Sequence, residues 1–262
     1  MRIILCIKGV PKPETVKVDP ETHTLKRESA ELILNPFDRS AIEMAARLKE
    51  RYKGEVIVIS MGPPNVVPLL KEAYGICADR MILLSDRAFA GADTLATSRV
   101  LAKTIEKLSP FELVLMGLKS LDGETAQVPP ETAALLGIPS LVNVKDIFLE
   151  NGKIIALRET EYALEEVEVE PPLVASVSPK LDYLRPPSLK RLLQARKKDP
   201  EIITSKELDL KEEEIGLSGS PTRVSGVFEK KFAQKGEIWE GEPEELAKKL
   251  IDFLKEKGFL KA

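Results

Sequence analysis

The residues best placed to do chemistry lie between Phe111 and Pro139, in the stretch FELVLMGLKSLDGETAQVPPETAALLGIP. Residues 112–116 form a short apolar run that reads as one buried strand, and Gly117 ends it. Residues 118–125 read as loop, with Asp122-Gly123 as a turn pair. A helix is expected over 126–136, with Thr125 as its N-cap and Gly137 then Pro139 as its stop. Pro129 and Pro130 fall in its first turn, where a missing N–H costs little. Strand, glycine-bearing loop and helix start, in that order, aim backbone N–H groups and a positive dipole end at one point. The chemistry this suits is phosphate binding. An ordinary Asp-Gly turn fits the same pattern, because the loop has neither a Gly-rich dinucleotide fingerprint nor a P-loop lysine.

Other chemistries find little support. His23 is the single histidine, which leaves no Ser-His or Cys-His pair, and it is expected on the surface of an early loop. No HExxH or paired-cysteine zinc pattern occurs. The many carboxylates fall on helical faces expected to be solvated. The pattern therefore points to a binding subunit whose bound cofactor carries the chemistry. A net charge of −3 gives no overall attraction to nucleic acid or an anionic membrane. No apolar run approaches the about 18 residues of a spanning helix. Residues 3–7 are too short for a signal core and are followed by Lys8. Cys6 and Cys77 stand far apart, in no metal-type spacing, and read as reduced thiols of a cytoplasmic protein. Four Asn, three Gln and 31% charged residues lean towards a thermophile source.

Alternating elements must position the loop. Residues 2–8 are nearly all apolar, as a central parallel strand requires. Residues 9–27 are polar and Pro-punctuated, hence loop or irregular hairpin, and 32–34 read as a short strand. Asn35-Pro36-Phe37-Asp38 looks like a helix start, with Asn35 as N-cap, Pro36 at N1 and Asp38 at N3. That helix runs to about residue 53. Further strands are expected at 55–61, closed by Gly62-Pro63, and at 80–85, with helices over about 65–75 and after an Asp93 cap. This order predicts a doubly wound α/β fold with a mostly parallel sheet. Such sheets bind ligands at the carboxyl ends of their strands, near the switch point. Residues 6–10, 61–63 and 117–128 fall at such ends, and the turn at 35–38 can join them. Ordinary turns account for the same segments.

The second half adds antiparallel strands at 141–149 and 153–158 around an Asn151-Gly152 turn, with more at 167–169 and 173–177. Arg196 to Lys198 read as a solvated helix end rather than a nucleic-acid contact. Residues 199–242 are rich in Lys, Glu and Ser and are expected to form no core. Helical spacing returns over 242–257, with Leu246, Leu250, Phe253 and Leu254. The expected organisation is an α/β domain over 1–198 and a linker with a terminal helix over 199–262. That helix packs on another chain or folds back on its own domain.

A family resemblance bears on these alternatives. Gly117, Asp122, Gly123, Thr125, Ala126, Gln127, Val128 and Pro130 resemble the nucleotide-binding loop of electron transfer flavoprotein (ETF) β subunits. NPFDRSAIEMAARLKE and GICADRMILLSD resemble two further stretches, and the likeness runs along essentially the whole chain. Arg158, Glu161, Glu165, Val167, Pro172, Val174 and Ser176 fit a further family signature, in which Tyr162 and Ala163 replace two glycines. The resemblance implies a Rossmann-like αβα fold of the adenine-nucleotide α-hydrolase type, with a C-terminal arm on an α subunit that holds the main FAD. It implies an adenine-nucleotide site built from Cys6, Lys8, Asn35, Pro36, Phe37, Asp38, Met61, Gly62, Gly117, Leu121, Asp122, Gly123, Glu124, Thr125, Ala126, Gln127 and Val128. It also makes 181–198 a docking loop for partner dehydrogenases, with Leu189 as its anchor, or else a core residue of the following helix. Quinone- or ferredoxin-type systems are the implied acceptors. Ordinary members hold AMP in the β site behind a more acidic loop, whereas electron-bifurcating members hold a second FAD there. Asp122 to Glu131 is closer to the second kind, departing from it at Glu124, for Asp, and Pro129, for Gly. A stand-alone nucleotide-binding or signalling domain is the other reading. An ATP-hydrolysing enzyme fits less well, for want of a Walker-type lysine.

Overall fold

The computed structural model describes residues 1–13, 31–179, 184–225 and 236–260. His23, most of the 9–27 segment and the start of the 181–198 segment lie outside the described residues. Two compact units are present, Met1–Gly226 and Val227–Ala262.

The first unit begins with β1 (Arg2–Cys6), a short antiparallel pair β2 (Gly9–Pro11) and β3 (Leu32–Leu34), and α1 (Asp38–Tyr52). β4 (Glu55–Met61), α2 (Val67–Ile76), β5 (Arg80–Leu84), α3 (Thr94–Lys107), β6 (Leu113–Gly117) and α4 (Val128–Leu136) follow. Next come β7 (Ser140–Glu150), β8 (Lys153–Glu159), β9 (Leu164–Val169), β10 (Leu173–Val177), α5 (Leu189–Arg196) and β11 (Glu201–Ile203). The main sheet has nine strands in the order β11-β5-β4-β1-β6-β10-β7-β8-β9. It is parallel from β11 to β7, and β8 and β9 add antiparallel.

The central strands are apolar at almost every position, apart from Arg2 and Glu55 at strand starts and the buried Ser60 and Ser176, because both faces are covered. Strand alternation sends Ile3 and Leu5 of β1 to the core shared with α1 and α2. Ile4 and Cys6 go to the opposite core, with Val100, Leu101 and Ile105 of α3 and Ala133 of α4. From β1 the chain winds outward through β4 and β5, then returns to place β6 on the other side of β1. The sheet therefore reverses between β1 and β6, and a crevice opens at their carboxyl ends. Asn151 and Gly152, with φ of 50° and 82°, make the tight turn between β7 and β8.

The segment from Asp199, expected to form no core, differs from expectation. β11 is the outer edge strand beside β5, and Ile203, Leu208 and Ile215 are buried in the core on the α3 face. Composition hid this because isolated apolar residues each fill one gap with no period. Side chains of the main body hold the segment in place. Asp86 accepts the Ser205 N–H (3.0 Å) and hydroxyl (2.6 Å), and Asp93 accepts the Thr222 N–H (3.1 Å) and hydroxyl (2.8 Å).

The second unit, taken by itself, holds α6 (Pro243–Glu256), which has no buried residue. Trp239 and Phe253 meet edge to face at 5.5 Å. Leu250, Ile251 and Phe253 remain exposed. Among the described residues no helix is long and apolar enough to cross a membrane.

Gly117 marks how tightly the switch point is packed. A Cβ there would lie 2.2 Å from Asp38 Oδ1 and 2.8 Å from the Phe37 carbonyl carbon. Gly117→Ala is expected to lower the free energy of urea unfolding by about 3 kcal/mol, the upper range for overpacking. Gly123→Ala, whose Cβ meets only Ser120 Oγ at 3.3 Å, is expected to stay within about 0.5 kcal/mol in the same measurement.

Candidate functional site

The crevice is built on Asp38, the first residue of α1, whose side chain is buried. Its Oδ2 accepts the Lys8 backbone N–H at 2.7 Å, and its Oδ1 accepts Asn35 Nδ2 at 2.8 Å. The Gly117 backbone N–H is a further donor to it. One carboxylate thus ties the ends of β1 and β6 together. Asn35 carries the connection into the loop: Nδ2 also donates to the Lys119 carbonyl (2.9 Å), and Oδ1 accepts the Leu121 N–H (3.2 Å). The expected helix start is therefore corrected. Asn35 does not cap α1, Pro36 is not its N1 and Asp38 is not its N3. The Asp38 N–H bonds back to the Asn35 carbonyl (2.9 Å) in a turn, Phe37 takes the N-cap position without a side-chain cap, and the helix begins at Asp38.

Above this base lies the loop of residues 118–127. Lys8 Nζ reaches across from β1 to both carboxylate oxygens of Asp122, at 2.7 and 2.9 Å. Lys119 sits over the Phe37 ring at 5.2 Å and pairs with Glu124 at 3.4 Å. Lys119 was not among the expected site residues; nothing in its spacing distinguishes it from a solvated lysine. Asp122, Gly123, Glu124, Thr125 and Gln127 are exposed on the rim. Glu124 and Ala126 have φ of 54° and 57°, a left-handed backbone that costs a non-glycine residue about 1–3 kcal/mol. The Ala126 conformation also moves the helix start. α4 begins at Val128 rather than 126, Gln127 takes the N-cap position, and Thr125 is not the cap. Pro129 and Pro130 then remove two of the N–H groups that a helix start leaves free. The backbone donors left at this end of α4 are Val128 and the loop amides just before it.

Cys6 ends β1 as a buried thiol that burial pushes far above its ordinary range, so it stays protonated and uncharged. Met61 and Gly62 stand at the carboxyl end of β4, on the other side of β1 from the crevice, and Gly62 N–H bonds to the Leu84 carbonyl (3.0 Å). They share the carboxyl edge without joining the Asn35–Asp38 network. Towards β10, Leu118 also lines a shallow cleft of about 490 Å³ with Asn143, Thr160 and Ser178.

Leu189, the first residue of α5, is 73% exposed, and Leu193 one turn on is 50% exposed. Leu189 is thus not a core residue. The rest of the segment is clamped to α1 and α2. Arg185 donates through its backbone N–H (3.2 Å) and Nε (3.0 Å) to Glu43 Oε2, through Nη2 to Glu43 Oε1 (3.0 Å), and also to Glu50. Arg191 Nε donates to the Tyr74 carbonyl at 2.9 Å. This clamp left no mark in the sequence pattern, because Glu43 reads there as one more helical acid.

Burial pushes the Asp38 carboxyl up from 3.8 to about 7, against the pull of its N–H donors. Burial also raises the Asp122 carboxyl, but Lys8 beside it, helped by hydrogen bonds from the Ser120 hydroxyl and the Asp122 backbone, holds it below the usual range. Because the folded value for Asp38 lies above the unfolded one, its stabilising contribution is complete below about 3.8 and is lost as pH rises through about 7. Between about pH 5 and about pH 7 ordinary carboxylates are already ionised, so the slope there isolates Asp38. Urea unfolding across that window is expected to show stability falling by up to about 1.4 kcal/mol per pH unit, and Asp38→Asn is expected to flatten the slope.

A family model described as the electron transfer flavoprotein domain matches residues 22–208, which carries it past α5 and β11. An ETF subunit beta of Thermoanaerobacterium thermosaccharolyticum is 40% identical over 255 residues, 97% of this chain and 98% of that one. The corresponding subunit of Clostridium acetobutylicum is 38% identical over 260 residues, 99% of this chain and 100% of the relative. Acetobacterium woodii has a relative named caffeyl-CoA reductase–Etf complex subunit CarD, 40% identical over 262 residues, 99% of this chain and 100% of its own length. On the strength of these full-length matches to a chain with this doubly wound fold, the protein belongs to the electron transfer flavoprotein β-subunit family.

Proposed function

We propose that this chain pairs with an ETF α subunit and that its crevice holds a second FAD, as the β subunit of an electron-bifurcating flavoprotein. The observation that carries the reading is the loop at 122–128. Gly123 has only Ser120 Oγ beside its missing side chain, at 3.3 Å, Ala126 takes a left-handed backbone just before the helix start, and Lys8 neutralises the nearest carboxylate. This donor set fits a diphosphate: the amides of Ala126, Gln127 and Val128 and the Thr125 hydroxyl can hold its oxygens. The neighbouring cleft gives a dinucleotide room beyond the phosphates, which AMP would not use. The redox chemistry is the flavin's own, taking a hydride from a nicotinamide donor and passing two electrons along separate routes. The chain's residues bind and orient it. Structural AMP is the second reading, favoured by Pro129 and Pro130, because a donor set short of two amides suits a single phosphate.

Assembly is part of the proposal. The exposed Leu250, Ile251 and Phe253 of α6 fit an arm that packs on the α chain. The name of the Acetobacterium relative supports work beside a partner reductase. Leu189 and Leu193 supply an exposed apolar pair on a clamped base, suited to dock a dehydrogenase that delivers or draws electrons.

Nucleotide released from the purified heterodimer, quantified after denaturation, is expected to amount to two FAD per complex. One FAD with one AMP would replace the bifurcating reading by the second. Gly123→Asp is expected to lower occupancy of the β site alone, through bulk and charge, with unfolding unchanged. Leu189→Ala is expected to weaken turnover with the partner dehydrogenase by about 2 kcal/mol, a hot-spot loss of about thirtyfold, while thermal stability moves little.

A further inference from the structure

We infer that Lys8 serves the crevice as the fixed countercharge of Asp122, and that this neutralisation, rather than direct contact with phosphate, is what lets the loop accept an anionic nucleotide. The inference rests on the proposed phosphate-bearing ligand and concerns how the site tolerates it.

Lys8 is held at both ends. Its backbone N–H is bound by Asp38, its carbonyl accepts the Asn35 N–H (2.9 Å), and its Nζ is engaged by both oxygens of Asp122. Two of the three donors of this ammonium are thus taken up by Asp122. Its neighbours explain why a countercharge is needed. Among the described residues, four carboxylates stand at the crevice or its loop. Asp38 is buried among N–H donors, Glu124 pairs with Lys119, and Glu131 takes the hydroxyls of Thr94 and Ser98, at 3.2 Å each. Asp122 is the one whose charge is answered by Lys8. Without Lys8 a diphosphate would meet an uncompensated carboxylate beside its own negative charge, at short range and in a partly dehydrated crevice. The pair is too exposed to matter much for folding: its side chains are 45% and 23% accessible, and such ion pairs stabilise little. Its consequence is therefore expected in binding.

A double-mutant cycle separates the two roles for Lys8. The heterodimer carrying Lys8→Met, Asp122→Asn or both is purified, its FAD content is counted, and labelled AMP is titrated onto complexes stripped of the β-site nucleotide. Urea unfolding of each variant is run alongside and is expected to match the parent. Countercharge predicts that Lys8→Met loses at least tenfold in nucleotide affinity. It predicts that Asp122→Asn binds more tightly than the parent, and that the double variant returns to within about threefold of it. If the double variant binds as poorly as Lys8→Met, Lys8 is a phosphate ligand and the inference is overturned. If Asp122→Asn alone loses affinity, the carboxylate itself contacts the ligand, which also overturns it. If the parent complex binds neither FAD nor AMP at this site, it is the functional reading that fails.

Discussion

One buried carboxylate holds this molecule's switch point together. A doubly wound sheet must reverse its winding somewhere, and here the reversal falls between the neighbouring strands β1 and β6. Asp38 accepts from both ends, from Lys8 and from Gly117. Backbone donors so close to the sheet's edge would otherwise be orphaned, at a cost of about 1–3 kcal/mol each. The arrangement demands the absence of a side chain at Gly117, whose Cβ would fall within 2.2 Å of the Asp38 carboxylate. Burial raises the carboxyl's proton affinity, so the device depends on donors that partly offset desolvation. The β1–β6 ladder sets the register of these strands, and Asp38 ties together the chain just beyond their ends.

Everything above the base inherits its position from it. Asn35 is spent on linking Asp38 to Lys119 and Leu121, so it cannot cap the helix that follows. The loop then turns back through two left-handed residues, Glu124 and Ala126, before the helix can start. Strain of this kind persists only where surrounding contacts fix it. Here the fixing contacts are Lys8–Asp122, Lys119–Glu124 and the Glu124 N–H to the Ser120 carbonyl (2.9 Å). On the proposed reading, rigid backbone donors and self-neutralised acids form a surface suited to take an anion with little rearrangement, which saves part of the cost of binding.

Strand–helix alternation made the fold legible, because central parallel strands are apolar almost throughout and their flanking helices carry one apolar stripe. Gly137 and Asp93 were readable as helix punctuation, and the structure places them so, with Gly137 left-handed at the end of α4 and Asp93 Oδ1 accepting the Ala96 N–H. Asn35 and Thr125 were not, since an Asx or Thr before a helical run looks like a cap whether its side chain points to the helix or away. A long-range partner such as Lys119 or Leu121 decides that, and no local pattern encodes it. The burial of Ile203, Leu208 and Ile215 was hidden for the complementary reason: three isolated residues fill three separate gaps, so they have no period to detect.

The residue order along α1 links the crevice to the exposed Leu189 segment. Asp38 at the first position of the helix anchors the crevice. Glu43 and Glu50, further along the same helix, hold Arg185 and so fix the segment that leads into Leu189. A helix advances about 1.5 Å per residue, so the crevice anchor and the clamp are set apart by a rigid rod and not by loop geometry. On the proposed reading, one surface holds a redox group and the other receives a partner that must come close to it. Electron delivery then depends on placement alone. Joining both surfaces to one helix makes that placement a property of the fold, and the loops are left free to set which nucleotide and which partner are accepted.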